Sequence, residues 1–217
     1  MLGFGFGETG SIRIAKGADP RLEFDRLAFG LGMIPATVTG EAELPGDYYL
    51  VPPLATLVTS MFLHGGLMHL LGNMLYLWVF GDNVEDAMGH LRFVAFYLLC
   101  AVSAAIIYTW TDPSSTVPTV GASGAISGVL GAYLLLFPHA RVRTLVTLGF
   151  FIHITFLPAW VLLVVWIGFQ ILSHASQPLD PQAGGVAYAA HIGGFVAGLA
   201  LILPFRKYRR RLYSRYT

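Results

Sequence analysis

Two serines stand four apart in GASGAISG, residues 121–128, and a histidine lies far downstream in AAHIGG, at His191. A serine hydroxyl is a poor nucleophile until a base within hydrogen-bond reach takes its proton, and a neutral imidazole is such a base. Upstream, HGGLMHLLGN carries His64, His69 and Asn73. His69 and Asn73 are four apart, about 40° around one helical face, so an imidazole N–H and an amide N–H can be aimed at one oxygen that gains negative charge. The chemistry open to this set is acyl transfer through a serine. His191 would act as the base, and His69, Asn73 and the Ser123 backbone N–H as oxyanion donors. No acidic residue lies at a matching depth, which leaves a Ser–His dyad.

Each residue also has a plainer reading. Small residues in GASG let helices approach closely, and a helical serine commonly bonds the carbonyl one turn back. His69 can be a packed imidazole and Asn73 an interhelical hydrogen bond. A metal site of His64, His69 and His191 is disfavoured, because i, i+5 spacing separates the first two and neither an HExxH motif nor an inward carboxylate accompanies them. Neither metal nor cofactor is expected.

The elements that must hold these residues are membrane helices. The chain of 217 residues is 55% hydrophobic and only 12% charged, with mean hydropathy +0.66. That is too apolar for an ordinary soluble domain. An all-α polytopic membrane protein is expected, with about five spans near 66–83, 91–110, 119–137, 157–175 and 186–204, since a bilayer core takes about 20 apolar residues as helix. The run from Thr144 to Leu172 is too long for one span, so Pro158 is expected to divide an interfacial piece from a helix. Cys100, the single cysteine, is expected to face lipid or fill packing space.

Six of the thirteen Lys and Arg residues fall in the final RKYRRRLYSRYT. Beside a membrane span this reads as an anchor on lipid headgroups at the cytoplasmic side; no nucleic-acid partner is expected. Alternation then puts Arg92, Arg141 and Arg143 on that same side, in accord with the positive-inside rule. The chain divides into a polar N-terminal extension with the start of a first outer loop (1–53), a membrane domain (54–205) and a basic tail (206–217). MLGFGFGETG lacks the pattern of a secretory signal. Within the extension, Asp19 and Pro20 can open a short surface helix whose stripe is Phe24, Leu27, Ala28 and Leu31.

The third and last spans should run in the same direction. Ser123 lies about four residues in from its outer end and His191 about five, so both are expected roughly 6 to 8 Å below one surface, with Ser127 about 6 Å deeper. Depth pairs His191 with Ser123. Gly121, Gly124, Gly128 and Gly131 on one helix face Gly194 and Gly198 on the other, a pattern for close backbone approach. Water for hydrolysis can reach so shallow a site, and Gly65, Gly66, Gly184 and Gly185 suit a mobile rim.

With HGGLMHLLGN (64–73), GDNVEDAMG (81–89), GASGAISGVLGAY (121–133) and AHIGGFVAG (190–198) in this order, the chain closely resembles the rhomboid family of intramembrane serine proteases over residues 30–205. The resemblance implies a rhomboid-like helical bundle that cuts transmembrane protein substrates near the outer face of a membrane, here a bacterial cell (inner) membrane. It implies Ser123 as nucleophile, His191 as base, and His69 and Asn73 as oxyanion donors. It gives structural roles to His64, to Glu85 as a brace of the cytoplasmic loop, and to the packing face of Gly121, Gly124, Gly128, Gly194 and Gly198. The family's usual first transmembrane helix has no counterpart in residues 1–53. Ala55 and Thr56 stand where some members carry Trp-Arg, and Ser127 stands where some carry an aromatic. The rival readings are a non-catalytic relative that binds membrane helices, and a channel or transporter that uses the glycine faces for helix motion.

Overall fold

A computed structural model describes residues 21–148, 151–177 and 186–207 of the chain. Five apolar helices stand where spans are expected: α4 (Leu67–Met88), α5 (His90–Thr111), α6 (Ser123–Leu136), α7 (Ala159–Ala175) and α8 (Tyr188–Phe205). α5 and α8 are each long and apolar enough to cross a membrane, whereas α6 and α7, with 14 and 17 residues, are shorter. Upstream lie three shorter helices, α1 (Arg21–Leu31), α2 (Pro35–Thr39) and α3 (Thr56–Thr59). The segment Gly46–Phe62 meets α4 at a bend of 80°.

α6 is the centre of the bundle. Every residue from Gly124 to Tyr133 is buried, which only a helix small or apolar on all sides can tolerate. The main core gathers around it, with Phe80 and Val84 from α4, Phe96 and Cys100 from α5, Leu163 from α7 and Phe195 from α8. Cys100 is therefore packing, not lipid-facing. Outward faces stay apolar, as at Trp78, Leu91, Trp110, Val165 and Leu203, which suits contact with hydrocarbon.

α6 and α8 run parallel and nearly touch backbone to backbone. A methyl on Gly194 would overlap the carbonyl of Gly124, one on Gly198 the carbonyl of Gly128, and one on Gly131 the carbonyl of Phe195. A methyl on Gly124 would meet Ala104 of α5 at 2.7 Å, and Gly128 sits against Cys100. The glycine ladder thus brings α8 onto α6 and α5 together. At the far end of α8 the Lys207 amide donates to the Ala87 carbonyl at 2.9 Å, tying it to the end of α4. Beside it, Glu85 pairs with His90 across the α4–α5 corner.

The expected interfacial piece before Pro158 is a β-hairpin. β1 (Arg141–Leu148) pairs antiparallel with β2 (Phe151–Pro158), from Arg141 opposite Pro158 to Leu148 opposite Phe151. Val142, Thr144, Val146, Ile154 and Thr155 supply the β-branched side chains that favour strands. Pro158 then caps α7, whose first free amides are satisfied by the chain leaving α6: Ala159 N–H donates to Ala140 and Trp160 N–H to Pro138, each at 2.9 Å.

The N-terminal stretch departs from a simple surface stripe. On α1, Phe24 and Leu27 are exposed, while Ala28, Phe29 and Gly30 are buried, with Phe29 edge-on to Tyr48. Asp19 and Pro20 lie outside the described residues. Phe29, Ile34, Ala36, Ala42, Leu44 and Tyr48 form an apolar cluster of their own. Met33 and Thr119 exchange both backbone hydrogen bonds, at 3.0 and 2.8 Å, and the Ala36 amide donates to the Ser115 carbonyl at 3.0 Å. This segment therefore holds the strand-like stretch that leads into Ser123.

Candidate active site

Ser123 opens α6. It does not lie one turn inside a helix that starts at residue 119, because 119–121 is non-helical, held by Met33 at Thr119 and by the Ser60 carbonyl, which accepts the Gly121 amide at 2.9 Å, and Ala122 is the turn residue that caps α6. α8 likewise begins at Tyr188, so His191 sits in its first turn. The two residues remain at one level. Their first-turn positions on parallel helices, joined by the glycine ladder below, bring Ser123 Oγ to 2.8 Å from His191 Nε2.

The other ring nitrogen of His191 is also engaged. Nδ1 lies 2.7 Å from Oε1 of Gln170 on α7. The ring is bounded by Trp166, one turn before Gln170, at a centroid distance of 6.1 Å, and edge-on by Tyr188 at 6.4 Å. Gln170 is not among the residues whose type and spacing point to this chemistry in the sequence. A glutamine buried in an apolar helix, four residues after Trp166 and four before His174, was the available signal.

Across from the dyad stands the first turn of α4. The Gly65 amide donates to His69 Nδ1 at 3.3 Å, so in the neutral ring the proton resides on Nε2. That Nε2 edge lies over Gly121, where a methyl would stand 2.8 Å from it and 3.8 Å from Ser123 Oγ. Asn73 is buried, and its Nδ2 donates to the His69 carbonyl at 3.0 Å, which leaves a second amide hydrogen for another acceptor. The opening amides of α6, Ser123 among them, have no carbonyl one turn earlier within the helix. They add the positive end of a helix dipole to the same spot.

His64 packs its ring edge-on against His69 at 5.2 Å, and its Nε2 is buried without a hydrogen-bond partner among the described residues. Burial and the neighbouring His69 both lower its basicity. Ser127, a turn below Ser123, donates to the Ser123 carbonyl at 2.6 Å. Glu85 stands at the opposite end of α4, away from this cluster. Gly65 and Gly66 precede α4 at the rim, while Gly184 and Gly185 lie outside the described residues. No group of three His, Cys, Asp or Glu among the described residues is placed to hold a metal ion.

These groups line a cavity of about 1100 Å³ that is polar at Ser123, His191, His69 and Asn73 and apolar at Met33, Met61, Met68 and Trp166. The arrangement can take a proton from a hydroxyl, present the oxygen to a carbonyl carbon and meet the developing charge with N–H groups.

Residues 53–208 match the Rhomboid domain family. The chain is 31% identical over 160 residues to "Rhomboid protein 1, mitochondrial" of Saccharomyces cerevisiae, an alignment covering 72% of this chain and 42% of that protein. It is 32% identical over 145 residues to "RHOMBOID-like protein 5" of Arabidopsis thaliana, with 67% and 42% covered. With "Rhomboid protease GluP" of Bacillus subtilis it shares 36% over 150 residues, with 68% and 26% covered. The chain thus spans less than half the length of each of these relatives.

Proposed function

The chain belongs to the rhomboid family and is a multi-pass membrane protein, and on that premise we propose that it is a serine endopeptidase that hydrolyses peptide bonds in or next to transmembrane segments of membrane proteins. The observation that carries the reading is the 2.8 Å contact between Ser123 Oγ and His191 Nε2 inside the cavity. The Bacillus subtilis relative bears the name of a protease.

In this mechanism Ser123 Oγ attacks the scissile carbonyl carbon while its proton passes to His191 Nε2. The carbonyl oxygen becomes an oxyanion, met by N–H groups of His69, Asn73 and the start of α6. The C–N bond then breaks as His191 gives its proton to the leaving amine, and an acyl-serine remains. Water attacks that ester, losing a proton to His191, and the proton returns to Ser123 Oγ as the acid departs. Each oxyanion donor is worth about 10²- to 10³-fold in rate.

The orientation proposed has the Ser123 end facing outward from a bacterial cell membrane and the basic tail in the cytoplasm. It is supported by the charges: Arg92, Arg141, Arg143, Arg206 and Lys207 all stand at the end opposite Ser123.

The deciding experiment is labelling in membranes with a fluorophosphonate, together with cleavage of a single-span test substrate. Wild type should label and cleave, and Ser123→Ala and His191→Ala should do neither. Undiminished cleavage by Ser123→Ala would sink the proposal. A wild-type protein that neither labels nor cleaves but binds the substrate helix would favour the non-catalytic reading instead.

A further inference from the structure

We propose that Gln170 is the positioning residue for His191: its amide oxygen accepts from Nδ1–H and so fixes the one tautomer in which Nε2 can take a proton from Ser123. The inference rests on the serine-hydrolase reading and adds a third residue to it.

The geometry requires little beyond hydrogen-bond chemistry. A neutral imidazole has one N–H and one lone pair, and which nitrogen holds the proton is set by the partner of the other. At His191, Nδ1 faces an amide oxygen at 2.7 Å. An oxygen accepts and cannot donate, so Nδ1 carries the hydrogen and Nε2 presents its lone pair to Ser123 Oγ at 2.8 Å. The reverse tautomer would set the Nδ1 lone pair against the Gln170 oxygen, acceptor facing acceptor, and would aim Nε2–H at Ser123 Oγ, leaving no lone pair to take the serine proton. In serine hydrolases with a buried Asp behind the histidine, replacing that acid by an amide costs about 10⁴-fold because the tautomer becomes wrong. Here the amide is native and is turned with its oxygen toward the ring.

Gln170 is well placed to hold that orientation. It is only 6% exposed, and Trp166, on the same face one turn earlier, packs against the His191 ring and against Phe195 of α8. An amide buried in an apolar helix without a partner would be costly, and the His191 bond supplies one. The oxygen is neutral, however, so it orients the imidazole without the full charge that a carboxylate would offer to the imidazolium. The titratable groups facing the cavity from the other elements are His69, Tyr76, Tyr108, Asp112, His174 and, beside the ring, Tyr188. Among the described residues Asp112 is the one carboxylate of this set, on the α5 end of the cavity.

The test reads the tautomer directly. Histidine-ring ¹⁵N spectra of the full chain in detergent, with His191→Ala to assign the resonances, should show wild-type His191 protonated on Nδ1 and bare on Nε2. Gln170→Leu should give a mixture of tautomers and lower kcat by about 10²-fold with KM little changed, within the range for loss of general-base function. Gln170→Glu, which keeps the acceptor, should retain the wild-type tautomer and move the acid limb of the kcat/KM profile to higher pH, because a carboxylate favours the imidazolium. An Nε2–H tautomer in wild type would overturn the role. So would a Gln170→Leu protein with unchanged tautomer and kcat, or, should that variant not fold, a Gln170→Glu protein whose pH profile matches wild type. The tautomer is read without turnover, so an inactive wild type with Nδ1–H would sink the protease reading alone, and an active one with Nε2–H would sink only this role.

Discussion

The hydroxyl of Ser127 donates to the carbonyl oxygen of Ser123 across 2.6 Å, so the two serines of GASGAISG lie one turn apart with different partners. Ser123 Oγ meets a base, whereas Ser127 is 1% exposed and folded back on its own helix. Ser127→Ala should therefore cleave and label like wild type, and lose at most about 1 kcal/mol, the net worth of one hydrogen bond. Rates and denaturation midpoints of Ser127→Ala and Ser123→Ala, measured side by side, check the division.

The contact of Gly198 with the Gly128 carbonyl gives a second prediction. A methyl at Gly198 has no room, so Gly198→Ala must push α8 off α6. Overpacking of this kind costs about 1–3 kcal/mol, and the displacement also moves His191 from Ser123. Gly72 on α4 is the control, with nothing among the described residues within 4 Å of an added methyl. Gly72→Ala should be neutral or stabilising, since alanine is the better helix former by about 1 kcal/mol. Unfolding in detergent should separate the two variants, and labelling should fall only for Gly198→Ala.

What could be read in advance follows from the kind of signal each element carries. α5 and α8 lie within two residues of their expected bounds because long apolar runs between polar loops leave a helix few alternatives. The pairing of Ser123 with His191 was legible because two parallel helices with glycines on their facing sides allow one register. β1 and β2 were not read: in an apolar chain the alternation of Val142, Thr144 and Val146 is diluted by hydrophobic residues on both faces. The start of α6 was placed too early because hydropathy does not distinguish helix from an extended stretch that borrows its hydrogen bonds from Met33 and Ser60. Gln170 escaped because its partner is 21 residues away on another helix.

Loss of the His69 donor should appear in kcat. With Nδ1 already accepting from Gly65, the His69 ring can aim Nε2–H at an oxyanion but makes no ground-state bond to Ser123. His69→Ala should lower kcat by about 10²- to 10³-fold with KM close to wild type. Asn73→Ala should lose less, because one of its two amide hydrogens is already held by the His69 carbonyl. A kcat and KM split for both variants on one substrate checks the order.

Asp112 gives a pH-dependent prediction. It caps α5 at the cavity edge, and burial raises its pKa above the usual carboxylate value of 3.8. A carboxyl whose folded pKa is raised favours the folded state most when protonated. Stability is therefore fullest below the unfolded value and falls as pH rises through the folded one. Asp112→Asn should raise the melting temperature at neutral pH, and the gain should vanish as the pH is lowered through the carboxylate range. Melting curves of both proteins across that range check the sign, and an Asp112→Asn protein that melts lower than wild type at neutral pH would overturn it.

Gly121 links backbone to catalysis. Its φ of +123° is one that side-chain-bearing residues rarely adopt, and a methyl there would stand 2.7 Å from His69 Cε1. Gly121→Ala should cost about 1–3 kcal/mol in backbone strain and also displace the His69 ring. If the catalytic loss comes through His69, it cannot be counted twice: Gly121→Ala combined with His69→Ala should be no slower than His69→Ala alone, although the stability cost remains. Full additivity of the two losses in kcat would mean that Gly121 acts on Ser123 itself, through the turn that opens α6.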